Sequence, residues 1–269
     1  MVTLQLSTKE LRADIIRMIA AAGSGHPGGS LSAIDLLAVL YARHLRHDPK
    51  TPDWPQRDRL ILSKGHAAPA LYAVLAHCGY FPRELLLTLR KLGSALQGHP
   101  ERHRLPGIEA ATGSLGQGLS IGLGMALAAR LDRAESRIYV VAGDGEIQEG
   151  QVWEAAMAAS KFKLDNLTLI VDCNNGQIDG HVSEIMPLDP LADKFRSFGW
   201  DVRAIDGHDP AAIDAAFAAA KAAGGQPRAI LAKTVKGKGV SFMEDDVAWH
   251  GKAPNKEETE MALREILHG

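Results

Sequence analysis

Apolar residues recur at two periods in this chain. Between Ser7 and Gly23, Leu11, Ile15, Ile16 and Ile19 fall at helical spacing. Ser7-x-x-Glu10 reads as a capping box at the start of that helix, and Gly23 as its stop. A loop over 23–29 leads to a strongly apolar helix predicted from Leu31 to about Leu45, and the proline-bearing stretch 47–59 is a loop. Helices are predicted over 67–77, where Pro69 sits in a first turn that tolerates it, and over 82–92. Short apolar runs at 60–62, 137–142, 167–171, 200–205 and 229–235 are bounded by Gly, Asp or Asn and read as buried strands. Helices predicted at 118–131, 151–161, 211–223 and 257–267 alternate with the later ones. This order implies an α/β fold, a parallel sheet with helices on both faces, in one domain spanning 1–269. The loops 93–112 and 240–255 are expected to carry function.

Composition narrows the function classes. The 269 residues are 46% hydrophobic and 23% charged, an ordinary globular balance. A chain this long buries roughly 70–75% of its unfolded surface, enough for a core without staples. Thirty Lys and Arg against 32 Asp and Glu leave a net charge of −2, so a basic nucleic-acid face is not indicated. Two cysteines, Cys78 and Cys173, are too few for a disulfide framework and point to a reducing, cytoplasmic setting. No apolar run reaches the ~18 residues of a membrane span, and the N-terminus lacks the basic-then-apolar order of a secretory signal. Neither nucleic acid nor membrane is expected as a partner.

In an open parallel sheet, ligands sit beyond the carboxyl ends of the strands. Those ends read Ser63-Lys-Gly-His66, Gly143-Asp-Gly145, Asp172-Cys-Asn-Asn175, Asp206-Gly-His208 and Lys236-Gly-Lys-Gly239. Such residues end strands in many proteins, but here every exit carries a glycine or a hydrogen-bonding side chain. Asp144 and Asn174 are 30 residues apart, one exit, helix and strand. A right-handed crossover returns both to the same edge, on strands about 4.8 Å apart. A carboxylate and an amide oxygen placed there can share a hard cation. One formal charge suits Mg²⁺, which completes its octahedron with phosphate oxygens; the plainer alternative is a pair of turn caps. Thr112–Gly118 opens a glycine-rich helix whose N-terminal N–H groups would favour a phosphate, or would simply permit tight helix packing.

Four of the eleven histidines, His26, His66, His99 and His250, lie beside glycine in loops. Neutral imidazoles suit proton transfer and the binding of sugar hydroxyls near neutral pH. Zinc is the competing reading, but no two of these four stand at His-x-x-x-His spacing and no cysteine is adjacent to them.

With these residues assembled, the chain resembles the transketolase family. Gly143-Asp144-Gly145, a helix and Asn174 are similar to the thiamine diphosphate motif. GSGHPGGSLS (23–32), LSKGHAAPALYAVL (62–75), GHPE (98–101), TGSLGQGLSIGLGMA (112–126), GDGEIQEGQVWEAAM (143–157), NNGQIDG (174–180), DGHD (206–209) and KTVKGKGVSFMEDDVAWHG (233–251) follow in the family's order. The resemblance implies a thiamine diphosphate-binding fold and transfer of a two-carbon ketol unit from a ketose phosphate to an aldose phosphate. It implies Asp144, Asn174 and the backbone carbonyl of Gly176 as ligands of Mg²⁺, or of another divalent cation such as Ca²⁺ or Mn²⁺. Gly113, Ser114, Leu115 and Gly145, with His66, Asn174 and Lys236, match the cofactor-binding positions. His26, His66, His99 and His250 match histidines that face the sugar and move protons. Glu149 matches a buried glutamate that links paired sites across a dimer. Gly29 stands where some members carry a hydroxyl, so that contact is expected to be missing or taken over by Ser30.

The family's second domain supplies the glutamate that meets the aminopyrimidine ring and the Arg and His residues that hold the substrate phosphate. The present sequence does not contain that domain. The resemblance therefore implies the N-terminal subunit of a two-chain transketolase, with a C-terminal subunit carrying the pyrimidine-binding domain and an α2β2 assembly. A 1-deoxyxylulose-phosphate synthase-like or 2-oxo acid dehydrogenase-like chain is opposed by the GHPGG, KGH and WHG blocks, and a dinucleotide oxidoreductase by the lack of G-x-G-x-x-G after a strand. A two-chain enzyme for another sugar, and a non-catalytic subunit that keeps the cofactor pocket, stay open.

Overall fold

The computed structural model describes residues 6–222 and 224–269. Five strands, β1 (Arg59–Leu62), β2 (Ile138–Gly143), β3 (Leu167–Cys173), β4 (Asp201–Asp206) and β5 (Arg228–Lys233), form one parallel sheet in the order β1-β2-β3-β5-β4. Successive side chains leave opposite faces of a strand, and the burial follows that rule. Leu60, Leu62, Tyr139, Val141, Ile170 and Ile230 join one apolar cluster; Ile61, Val140, Leu169, Val171, Ala229 and Leu231 join the other.

The first cluster is covered by α1 (Thr8–Ala22), α2 (Pro27–Val39), α3 (Ala68–His77), α8 (Pro210–Ala220) and α9 (Lys256–His268). The second is covered by α4 (Gln117–Leu131), α5 (Gly150–Lys161) and α7 (Leu191–Ser197); the single turn α6 (Val182–Ile185) precedes α7. Helices on both faces of a parallel sheet are what the strand–helix alternation predicts. Among the described residues, no helix is long and apolar enough to cross a membrane.

The main departures from expectation are at α2 and at 82–92. α2 starts at Pro27 rather than Leu31, because proline's fixed φ suits the first helical position; the loop shrinks to Gly23–His26. Its far end widens into a π-type turn over Leu40–His44. The helix expected over 82–92 is only a 3-10 stretch, Arg83–Thr88, and Arg90 beyond it takes left-handed backbone that no helix can continue. The helix expected over 211–223 is α8, whose predicted last residue, Ala223, lies outside the described residues. Ser7 caps α1 by accepting from Glu10 N, and left-handed Gly23 ends that helix.

The register places the strand ends level. Gly143 pairs with Asp172, and Cys173 with Lys233, so the exits of β2, β3 and β5 open on one edge. The β1 exit lies beside them, where Ser63 N donates to Val141 O.

Candidate active site

A cleft of about 380 Å³ lies over these exits. Its floor holds an unusual density of buried charge. Lys64 is 1% exposed, Asp172 0%, Lys236 2%, Glu146 3% and Asp144 6%, values tolerable only for paired groups. Asp172 is the hub. It accepts from Lys64 Nζ at 2.5 Å, Ser32 Oγ at 2.6 Å, the Thr234 hydroxyl and Asn174 Nδ2 at 3.3 Å. Burial pushes this carboxyl up, but Lys64 and the hydroxyls outweigh burial and hold it below the usual range.

That hub sets the orientation of Asn174. Its amide nitrogen donates to Ser32 Oγ (3.1 Å) and Asp172, while Oδ1 accepts from Gly176 N at 2.9 Å and keeps a second lone pair. Asp144 lies alongside. Its Oδ1 accepts from Gly145 N at 2.9 Å, and its Oδ2 from the N–H of left-handed Asn175 at 2.6 Å. Burial, then Asp172, raises its carboxyl to about 6. The Gly176 carbonyl accepts from Lys236 Nζ at 3.3 Å. Burial, then Lys64, lowers Lys236 to about 8.

Thus Asp144, Asn174 and Gly176 all line the cleft, and Asp144 is bonded directly to the loop that carries the other two. Among the described residues no three His, Cys, Asp or Glu side chains gather as a metal cage. The three oxygens offered are a carboxylate, an amide and a backbone carbonyl, a hard set that suits a Mg²⁺-like ion sharing phosphate oxygens. Gly143 adds room: a Cβ there would meet only Lys64 Cδ, at 3.9 Å. The chemistry of this donor set, with two buried ammonium groups beside it, fits a metal-bridged diphosphate.

The four glycine-flanked histidines converge over the floor. Ring centroids lie 5.3 Å apart for His26–His66, 5.0 Å for His66–His250, 5.4 Å for His26–His250 and 6.2 Å for His26–His99. Burial disfavours the charged form of each. His26 falls to about 4, by burial and then Arg90, and His250 to about 3, by burial and then Lys236. His66 drops well below its ordinary value through burial and then Lys64, and His99 is lowered by burial and then Arg90. At neutral pH the cleft therefore presents uncharged imidazoles. His250 Nδ1 lies 3.1 Å from Lys236 Nζ, which has no lone pair when charged, so Nδ1 accepts and Nε2 carries the proton.

The remaining expected residues divide. Gly113, Leu115 and Gly145 line the cleft. Ser114 is exposed and faces the adjoining hollow beside Gly98 and Gln117 instead. Glu149 is exposed on the cleft rim, with its stem packed over Gly116; the buried glutamate of that segment is Glu146. Glu146 also corrects the expectation for the start of α4. Its carboxylate accepts from Gly116 N (3.0 Å), Gly143 N (3.1 Å) and Ser63 Oγ (2.5 Å), and Ser63 Oγ accepts from Gly118 N at 3.1 Å. Two of the N–H groups expected to meet a phosphate are therefore taken by side chains. Ser30, beside Gly29, is buried, and its Oγ donates to His26 O at 2.7 Å. Lys64, Asp172 and Glu146 are not evident as site residues from sequence, although each stands at or just beyond a strand exit rich in polar residues. The available signal is their position, since charge alone does not reveal burial.

Comparison with known proteins gives this geometry a family. The model of the transketolase thiamine diphosphate binding domain matches residues 4–268. The chain is 49% identical over 265 residues to the 6-deoxy-6-sulfo-D-fructose transketolase subunit SqwG of Clostridium sp. (strain MSTE9), covering 98% of this chain and 96% of that one. It is 42% identical to an apulose-4-phosphate transketolase subunit of Phocaeicola vulgatus, covering 98% and 94%. Among solved structures, transketolase from Campylobacter jejuni superposes with a TM-score of 0.88 at 36% identity, over 97% of this chain but 43% of that one. The chain thus spans about two fifths of the solved transketolase. Motif order, sheet topology and these matches agree that the chain belongs to the transketolase family, as a thiamine diphosphate binding domain.

Proposed function

We propose that this chain is the diphosphate-binding, N-terminal subunit of a two-chain transketolase. The observation that carries the proposal is the oxygen cluster of Asp144, Asn174 and Gly176 beneath four neutral histidines, in a chain that aligns along nearly its whole length with subunits of transketolases. Asp144, Asn174 and the Gly176 carbonyl would hold Mg²⁺ or a similar divalent ion, and Gly113, Ser114, Leu115, Gly145, His66 and Lys236 the cofactor. Thiamine diphosphate, when bound, supplies the electron sink that lets a ketose C–C bond break and a two-carbon unit pass to an aldose.

The chain's own part is anchoring, orientation and proton traffic. Lys64 and Lys236, buried among the groups that line the cleft, would offer positive charge to the diphosphate. The neutral histidines donate and accept hydrogen bonds at sugar hydroxyls, each worth about 10²–10⁴-fold where it moves a proton. The substrates are sugar phosphates or sugars with a comparable anionic end. A two-chain enzyme for a specialised sugar is favoured over the general pentose phosphates by the 49% identity to the sulfofructose transketolase subunit. The site is completed by a C-terminal subunit with the pyrimidine-binding domain, in an α2β2 assembly in the cytoplasm.

Calorimetry with thiamine diphosphate and Mg²⁺ tests the anchor. Asp144→Ala should weaken Mg²⁺-dependent binding by more than about tenfold while the melting curve keeps its cooperative shape. Unchanged affinity defeats the assignment.

A further inference from the structure

Arg90 has no place in the roles above, yet its guanidinium lies against His26. The backbone puts it there. Arg90 takes left-handed backbone at φ 59°, rare for a residue with a long side chain. Its N–H donates to Leu96 O at 2.9 Å and closes the loop. Gly98 gives the guanidinium room, since a Cβ there would lie 2.8 Å from Arg90 Nε. Nη1 then donates to Ser24 Oγ at 2.7 Å, and Nη2 lies 3.3 Å from His26 Nδ1.

A guanidinium has donors only, so His26 Nδ1 must accept and the ring proton must sit on Nε2. We propose that Arg90 is a positioning residue that locks His26 as the uncharged Nε2–H tautomer, so that the cleft always meets an N–H donor at this ring. The groups facing His26 are Arg90, His66, His99, Lys236 and His250. All are basic, so none favours a second proton, and the fixed charge of Arg90 sits at the nitrogen that would receive it. The tautomer stands on this geometry; its use as a donor to a sugar oxygen rests on the function proposed above.

The test uses the full 269-residue chain without cofactor, labelled with ¹⁵N-histidine and read by two-bond ¹H–¹⁵N correlation spectra, with His26→Gln assigning the signal. The wild type should show His26 protonated on Nε2 at pH 7, with a titration midpoint of about 4. Arg90→Met keeps the apolar stem and removes donor and charge. It should give a mixture of tautomers and raise the midpoint by about one pH unit. Arg90→Lys should restore both. A wild-type proton on Nδ1, or an Arg90→Met spectrum and midpoint equal to wild type, overturns the proposal. No turnover enters the measurement, so a failed ketol-transfer assay with the partner counts against the proposed function and leaves this result in place.

Discussion

Asp172→Asn changes one atom and one charge, and it isolates what the buried hub contributes. Lys64, 1% exposed, would lose the carboxylate charge it is paired with. Removing one partner of a buried pair leaves the other charge uncompensated, at a cost of about 3–5 kcal/mol. Urea denaturation should show a loss of that order, and adding Lys64→Met to Asp172→Asn, which removes the stranded ammonium and keeps an acceptor for Ser32 and Thr234, should recover part of it. A loss below about 1 kcal/mol would mean that the Lys64–Asp172 pair does not hold the cleft floor together. Glu146 makes a second case. Glu146→Ala strands the N–H groups of Gly116 and Gly143 and the Ser63 hydroxyl, and orphaned buried donors cost about 1–3 kcal/mol. Glu146→Gln keeps an acceptor oxygen and should cost less. Equal losses in the two variants would show that the carboxylate charge, not the acceptor geometry, holds the start of α4.

The elements that were legible in the sequence are those whose environment is uniform. β2, β3 and β5 are continuous apolar runs closed by Gly, Asp or Lys, as strands covered on both faces must be. The start of α2 was hidden because Gly28 and Gly29 are poor helix formers. They are there for proximity: a Cβ on Gly28 would lie 2.9 Å from Lys236 Cγ, and one on Gly29 3.2 Å from His66 Nε2. α6 and α7, of four and seven residues, are too short to show a period. The 3-10 stretch at 83–88 failed as a helix because its packing is tertiary. Arg83 reaches back to Asp14 on α1 at 2.6 Å, and His77 on α3 meets the same carboxylate at 2.8 Å. Burial pushes Asp14 up, but its bonds from His77 and Arg83 outweigh that and hold it at about 2. A carboxyl lowered in the folded state stabilises above its unfolded value of 3.8, and that contribution is lost as pH falls from about 4 to about 2. Asp14→Asn should therefore flatten the acid limb of the stability curve in this window; an unchanged limb would place the acid sensitivity elsewhere.

What this chain leaves exposed bears on assembly. The four histidines come from the start of α2, the β1 exit, the 93–112 loop and the 3-10 turn at Val247–His250, so the cleft floor and one wall are internal to this fold. The opposite rim is different. Glu149 and Ser114 are exposed, and Ile178 at the mouth is 70% exposed. These belong to segments that resemble cofactor and interface positions in the family, and an uncovered apolar residue at a cleft mouth gains by burial against another chain. Glu149 also follows the 3-10 turn that begins at Glu146, so its backbone is fixed from inside the fold while the residue itself is exposed. Glu149→Gln should accordingly leave the unfolding free energy of the isolated chain within about 0.5 kcal/mol of wild type, as for other surface changes. The same variant should weaken association with the C-terminal subunit in sedimentation runs, and ketol transfer with it. The pure chain should show no transfer on its own, with activity returning as the partner is titrated in. Turnover by the chain alone would place the whole reaction within this one fold. Association unaffected by Glu149→Gln would move the interface to another face.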